Sequence, residues 1–169
     1  RDHLDYHGSM EAYAAAKAKL FDAYGVSLQL INADDEYAAT LLNKPTDARR
    51  LSFSTTSKSA DVASLDSMFS ANGLSFTLEM GDQTIRVDAP LMGSFNLSNL
   101  TLVIGAAAML GYDLSDVERS VSKVQPVPGR MEVVSSATEP CVIVDYAHTP
   151  DALEKALTAC REHLAGGEL

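Results

Sequence analysis

The stretch Val26-Ser27-Leu28-Gln29-Leu30-Ile31-Asn32-Ala33-Asp34-Asp35 decides the class of fold. Residues 26–31 read as a strand. Asn32-Ala33-Asp34-Asp35 follows as a turn whose acids suit the N-terminus of a short helix reaching about residue 43. Strand, polar turn and helix make a βα unit, so the chain is expected to be α/β. Upstream of it, Met10, Tyr13, Ala14, Leu20, Phe21 and Tyr24 recur at helical steps. That spacing predicts an amphipathic helix over residues 9–24, with Lys17 on the same apolar stripe. Downstream, Phe76, Leu78 and Met80 alternate with polar residues, Gly81-Asp82 makes a turn, and Ile85 and Val87 alternate again. Residues 74–89 are therefore expected as an antiparallel hairpin, which implies a mixed sheet.

The other elements follow from the same rules. A short strand is expected over 51–54 and a turn of helix around 62–69. Residues 96–110 form a helix apolar almost all round, stopped by Gly111 and expected to be buried against a sheet. Ser115-Asp116-Val117-Glu118 has the pattern of a capping box for another short helix. Gln125-Pro126-Val127-Pro128-Gly129 breaks all periodicity and is the best linker, so a domain boundary is expected there. Beyond it come strands over 131–134 and 141–144, the second expected to be buried on both faces. A helix capped by Thr149, with Pro150 at its first position, then runs to about residue 164.

Composition limits function. The chain has 169 residues, 46% hydrophobic, and a formal charge of −10. A packed core is within reach, and no Lys/Arg run is dense enough to follow a phosphate backbone, so nucleic acid is not an expected partner. No apolar stretch approaches the roughly 20 residues that cross a bilayer, and no signal-peptide pattern is present. A cytoplasmic protein without membrane insertion is expected. Cys141 and Cys160 form no CxxC and read as reduced, mostly buried thiols. The start on Arg1, directly into a dense motif, and the end on Gly-Gly-Glu-Leu are expected to be cuts through a longer protein.

Several residues invite chemistry. Asp2, His3, Asp5 and His7 crowd two carboxylates and two imidazoles into a short stretch, which suits a metal or a phosphate, or simply caps the next helix. His3 and His7 would share one face of a helix, but HxxxH lacks the glutamate of a zincin. Lys17, on an apolar stripe, must snorkel, pair with an acid or lose its charge. A neutral lysine amine can react with carbon dioxide, and the carbamate formed is an anionic oxygen donor suited to Mg²⁺. Asn96 and Asn99 lie one turn apart, and an amide pair can read the edge of a base. Asp145-Tyr146-Ala147-His148 sits where a strand gives way to a helix, the usual ligand crevice of open α/β sheets, although Asp145 and His148 could equally serve loop hydrogen bonds. Arg130 follows the linker and could reach a phosphate or make a surface ion pair.

Six ordered motifs carry a resemblance over nearly the whole chain: Asp2 to Gly8, Glu11 to Lys17, Asn32 to Asp35, Gly93-Ser94-Phe95-Asn96-Leu97-Ser98-Asn99-Leu100, Pro128-Gly129-Arg130-Met131-Glu132 and Asp145-Tyr146-Ala147-His148-Thr149-Pro150. Together they resemble the Mur ligases, and GRME followed by DYAHTPDAL resembles the tripeptide-forming members. The resemblance implies a three-domain, ATP- and Mg²⁺-dependent ligase of peptidoglycan synthesis. It would add a diamino acid, supplied free, to UDP-N-acetylmuramoyl-L-alanyl-D-glutamate through an acyl phosphate. Residues 1–127 would be the later part of the central ATP-binding domain, and 128–169 the opening of a Rossmann-like C-terminal ligase domain.

By the same resemblance, His3 matches a histidine that binds Mg²⁺, and Lys17 a carbamylated lysine that supports the metal. Asn96 and Asn99 match adenine-side asparagines, Arg130 a phosphate contact and Asp145 the acid that holds ribose. Tyr146 and His148 fall in the same nucleotide-facing loop. No GxxxxGK[ST] phosphate loop occurs in these 169 residues, so this polypeptide by itself is expected to be inactive. A folylpolyglutamate synthase-like ligase and a non-catalytic nucleotide-binding domain are the competing expectations.

Overall fold

The computed structural model describes residues 9–135 and 140–164. Chain order is α1 (Met10–Asp22), β1 (Leu28–Asn32), α2 (Ala38–Leu42), β2 (Arg49–Ser54), β3 (Val62–Ser70), β4 (Gly73–Met80), β5 (Gln83–Ala89), α3 (Ser94–Met109) and α4 (Leu114–Val121). After the linker come β6 (Glu132–Val133), β7 (Ile143–Val144) and α5 (Pro150–Glu162). The first five strands form one mixed sheet in the order β1-β2-β3-β4-β5. β1, β2 and β3 are parallel, with Leu30 opposite Leu51 and Phe53 opposite Val62. The last two pairings are antiparallel, with Phe76 opposite Val87.

The hairpin emerges as its alternation requires. Leu74, Phe76 and Leu78 of β4 and Val87 and Ala89 of β5 turn inward, and α3 lays Leu97, Leu100 and Ile104 against them. Phe76, Leu78, Val87 and Ile104 are wholly enclosed, each contributing about 1.5–3 kcal/mol by burial. One polar pair crosses this core. Thr101 Oγ1 donates to Leu97 O at 2.7 Å, so the 2.7 Å contact with Ser64 Oγ leaves Ser64 as the donor to Thr101.

The helices α1 and α2 are tied to the sheet by a polar network. Gln29, only 2% exposed, donates through Nε2 to Phe21 O at 3.0 Å and accepts from Arg50 Nε at 2.7 Å. Arg50 also donates to Lys44 O at 2.6 Å and Leu42 O at 3.2 Å, satisfying carbonyls at the end of α2.

Four sequence-based expectations need correction. The segment expected as a turn of helix around 62–69 is β3, whose register shifts between Leu65 and Met68 with Asp66 at φ +50°. The bulge breaks the two-residue period that would have betrayed a strand. The helix after Gly111 starts earlier than a Ser115 cap implies, because Asp113 is the N-cap and accepts from Ser115 N at 2.8 Å. α3 is buried against the sheet as expected, and Leu102 and Val103 lie on its exposed face. The strand over 141–144 is not enclosed on both faces: β6 and β7 form a two-stranded antiparallel ribbon, and Val142 and Val144 are exposed. Cys141 is exposed as well, and Cys160 is half-buried.

The C-terminal segment has its own small apolar cluster, formed by Met131, Ala156 and Ala159 with Ile143 and Cys160 packed on it. Burial pushes the Cys160 thiol up, helped by nearby Cys141 and Asp145. Met92, two residues before α3, also belongs to this cluster. The two parts of the chain therefore share the segment that leads into α3.

Candidate nucleotide site

A cleft of about 680 Å³ opens between α1, the carboxyl ends of β1 and β2, and α3. Lys17 and Tyr13 contribute to it from α1, Asn32 and Asp35 from the turn after β1, Phe53 from β2 and Asn99 from α3. Two residues singled out in the sequence, Lys17 and Asn99, thus share one cavity. The expected desolvation of Lys17 does not hold in this geometry. α1 has no buried residue, Lys17 is exposed, and its Nζ lies 4.6 Å from the centroid of the Tyr13 ring in a cation–π contact. The apolar stripe lines a cleft instead of entering a core.

Asn96 and Asn99 are ordered with respect to each other. Asn96 Nδ2 donates to Met92 O at 2.8 Å, and Asn96 Oδ1 accepts from Asn99 Nδ2 at 3.2 Å. Asn96 is therefore not a helix cap; the N-cap is Gly93, which has no side chain to serve the turn. The arrangement fixes the half-buried Asn96 as a support. It leaves the exposed Asn99 an acceptor and a second N–H, the pair that an adenine edge complements.

The acidic turn after β1 has a use that sequence reasoning missed. The Asp34 carboxylate accepts from Ser54 Oγ at 2.5 Å, Thr55 N at 2.8 Å, Thr55 Oγ1 at 3.0 Å and Thr56 Oγ1 at 2.7 Å. Partial burial acts to raise its pKa, but the hydrogen bonds from Ser54, Thr55 and Thr56 outweigh it and hold the carboxyl below its ordinary value. Asp34 thereby clamps the ends of two parallel strands. The run Ser54-Thr55-Thr56 at the end of a strand was the available signal.

The remaining candidates meet in the C-terminal segment. Arg130 lies over the Tyr146 ring, 5.1 Å from its centroid, and His148 meets Tyr146 edge-on at 5.2 Å. Asp145 is committed to the loop: Oδ2 accepts from Met131 N at 3.0 Å and Oδ1 from Ala147 N at 2.8 Å. Glu132 accepts from Gly129 N at 2.8 Å. These bonds hold the turn that points Arg130 outward. Thr149 caps α5 as expected, accepting from Ala152 N at 3.3 Å, with Pro150 in the first turn.

His3 lies outside the described residues. Among the described residues no group of three His, Cys, Asp or Glu side chains is placed to hold a metal ion. Lys17 as an amine offers Mg²⁺ no ligand, whereas a carbamate there would offer oxygen. Among them, too, no helix is long and apolar enough to cross a membrane.

Parallel strands whose carboxyl ends open into a cleft, with the exposed Asn99 on its wall, make an α/β domain of the kind that takes ligands at its strand ends. Residues 1–107 match the Mur ligase middle domain, and residues 129–169 match the glutamate ligase domain of Mur ligases. The chain belongs to the Mur ligase family. It is 46% identical over 165 residues to a protein of Pseudomonas aeruginosa named UDP-N-acetylmuramoyl-L-alanyl-D-glutamate–2,6-diaminopimelate ligase, with 98% of this chain and 34% of that protein covered. A solved structure of a ligase of that name superposes with a TM-score of 0.84 at 39% identity, covering 98% of this chain and 34% of the other. A variant of L. casei FPGS shares the fold, with a TM-score of 0.74 at 20% identity, covering 97% of this chain and 40% of that one. The chain thus spans about a third of the length of the curated relatives it matches.

Proposed function

We propose that this chain is part of an ATP-dependent ligase that extends UDP-N-acetylmuramoyl-L-alanyl-D-glutamate by a diamino acid, 2,6-diaminopimelate by the names of its relatives, in cytoplasmic peptidoglycan-precursor synthesis. The observation that carries the reading is the placement of Asn99, oriented by Asn96, in the same cleft as Lys17. In this reading Asn99 takes the adenine edge. Arg130, stacked on Tyr146 beside His148, meets the phosphates, and Asp145 keeps that loop in shape while facing the ribose. ATP supplies the phosphoryl group that turns the peptide carboxylate into an acyl phosphate, from which the incoming amine releases phosphate as the amide forms. Lys17 as a carbamate, with His3, would hold Mg²⁺ and so spread the charge on the phosphates. A folylpolyglutamate-type reading is weaker, since it rests on likeness of fold alone.

Replacing Lys17 by Ala in the full-length ligase is expected to lower turnover by orders of magnitude, with partial recovery on adding short-chain carboxylic acids. Near wild-type turnover by Lys17→Ala without any additive would remove Lys17 from the machinery. An Asn99→Ala variant with an unaltered KM for ATP would remove α3 from the nucleotide site.

A further inference from the structure

The amino end of α3 is closed by the far end of the chain. Gly93, the N-cap, sits at φ +92°, and a Cβ there would lie 3.1 Å from Ala159 Cβ. α5 therefore packs directly on this glycine. The C-cap residue of α5 is His163, only 4% exposed. Its Nε2 accepts from Gly93 N at 2.8 Å, its Nδ1 lies 2.6 Å from Ser70 O, and its ring meets Phe69 edge-on at 5.2 Å. Ser94 N donates to Glu162 at 3.3 Å. The first N–H groups of α3, which an uncapped helix leaves without partners, are thus served by two residues of α5.

The two contacts of His163 fix its proton. Gly93 offers only an N–H and Ser70 only a carbonyl, so Nε2 must be the acceptor and Nδ1 the donor. One ring then joins three elements: the end of β3, the start of α3 and the end of α5. The backbone it holds at Gly93 is one residue from Met92, whose carbonyl anchors Asn96, and Asn96 in turn orients Asn99.

The geometry points to His163 as a positioning residue for the nucleotide site, fixing through Gly93 the amide pair Asn96–Asn99 against the C-terminal segment. The inference rests on the reading of Asn99 as an adenine contact. The two nitrogens can be separated by substitution. Asparagine places a donor near the position of Nδ1 and nothing near Nε2; glutamine places an acceptor near Nε2 and nothing near Nδ1.

The experiment is steady-state kinetics of the full-length ligase with ATP varied and both other substrates saturating, for wild type, His163→Asn, His163→Gln and Asn99→Ala, with thermal unfolding run alongside. The expected result is a KM for ATP about threefold to tenfold higher in His163→Asn than in His163→Gln, the range one hydrogen bond supports, with kcat unchanged. A residue that only anchors the fold would lower the melting temperature of both variants and leave the two KM values equal. That result, beside a raised KM in Asn99→Ala, overturns the positioning role alone. A wild-type KM in Asn99→Ala overturns the reading of the site and the positioning role with it. Should His163→Asn not fold, His163→Gln decides: a KM within about twofold of wild type supports the role, and a KM raised as in Asn99→Ala overturns it.

Discussion

Gly93→Ala tests the junction between α3 and α5 by a purely steric route. Two costs add. At φ +92° and ψ 144° the backbone lies in a region that is essentially reserved for glycine, at a cost of about 1–3 kcal/mol for any other residue. The new methyl would also sit 2.7 Å from Phe95 Cε1 and 3.1 Å from Ala159 Cβ. The Phe95 ring, 39% exposed, can swing aside, but the Ala159 methyl is 1% exposed and cannot move without its helix. Displacing α5 by a few tenths of an ångström adds about 1 kcal/mol or more, as over-packing does elsewhere. Gly111 is the control, because it shares a φ of +91° and a Cβ there meets nothing within 4 Å. Gly111→Ala should cost about 1 kcal/mol and Gly93→Ala about 2–4 kcal/mol in urea unfolding of the 169-residue chain. Equal costs, within about 0.5 kcal/mol, would refute the packing of α5 on this glycine.

Asp34→Asn should flatten the acid limb of stability. A carboxyl held below its ordinary value stabilises the fold above the unfolded pKa and loses that contribution as pH falls through the folded one, so the gap between wild type and variant should narrow as pH falls below the ordinary Asp value of about 3.9; urea midpoints whose difference stays constant from neutral pH down through the acid limb would contradict it. Arg50→Met strips donors from Gln29 Oε1, Lys44 O and Leu42 O, and should cost about 2–3 kcal/mol in the same assay; a loss under about 0.5 kcal/mol would mean that water replaces the network. We also expect hydrogen exchange to separate the protein into two units divided at the Pro126–Pro128 linker, with Met92 and Gly93 protected together with α5. A single cooperative unit over residues 91–160 would count against that boundary.

How much the sequence discloses depends on whether the partners are near in the chain. The β4–β5 hairpin was legible because its alternation, its Gly81-Asp82 turn and its buried face lie within one short stretch. β3 was not, because a bulge at Leu65–Met68 interrupts the same alternation. α1 had the right period, yet period does not say whether an apolar stripe meets a core or a cleft, and the desolvation argued for Lys17 failed on that distinction. His163 gave no signal at all. Its partners Gly93 and Ser70 are 70 and 93 residues away, and nothing in Arg161-Glu162-His163 distinguishes it from a surface histidine.

The motif residues show a second limit, which is that one carboxylate can serve fold and site together. Asp145 spends an oxygen on each of two backbone N–H groups, at Met131 and Ala147. Met131 is held at φ +48°, and its side chain is 1% exposed. A non-glycine residue keeps that conformation only when its surroundings enforce it. Here the Asp145 bond and the buried side chain do so, and their joint effect is to turn the preceding residue, Arg130, out of the cluster and over Tyr146. The ordered pair GRME and DYAHTP is thus a physical unit, with the acid of the second motif bonded to the turn of the first. On the proposed reading Asp145 would reach a ligand of this loop in two ways, by its own lone pairs and through the aim of Arg130, and removing it would change both at once.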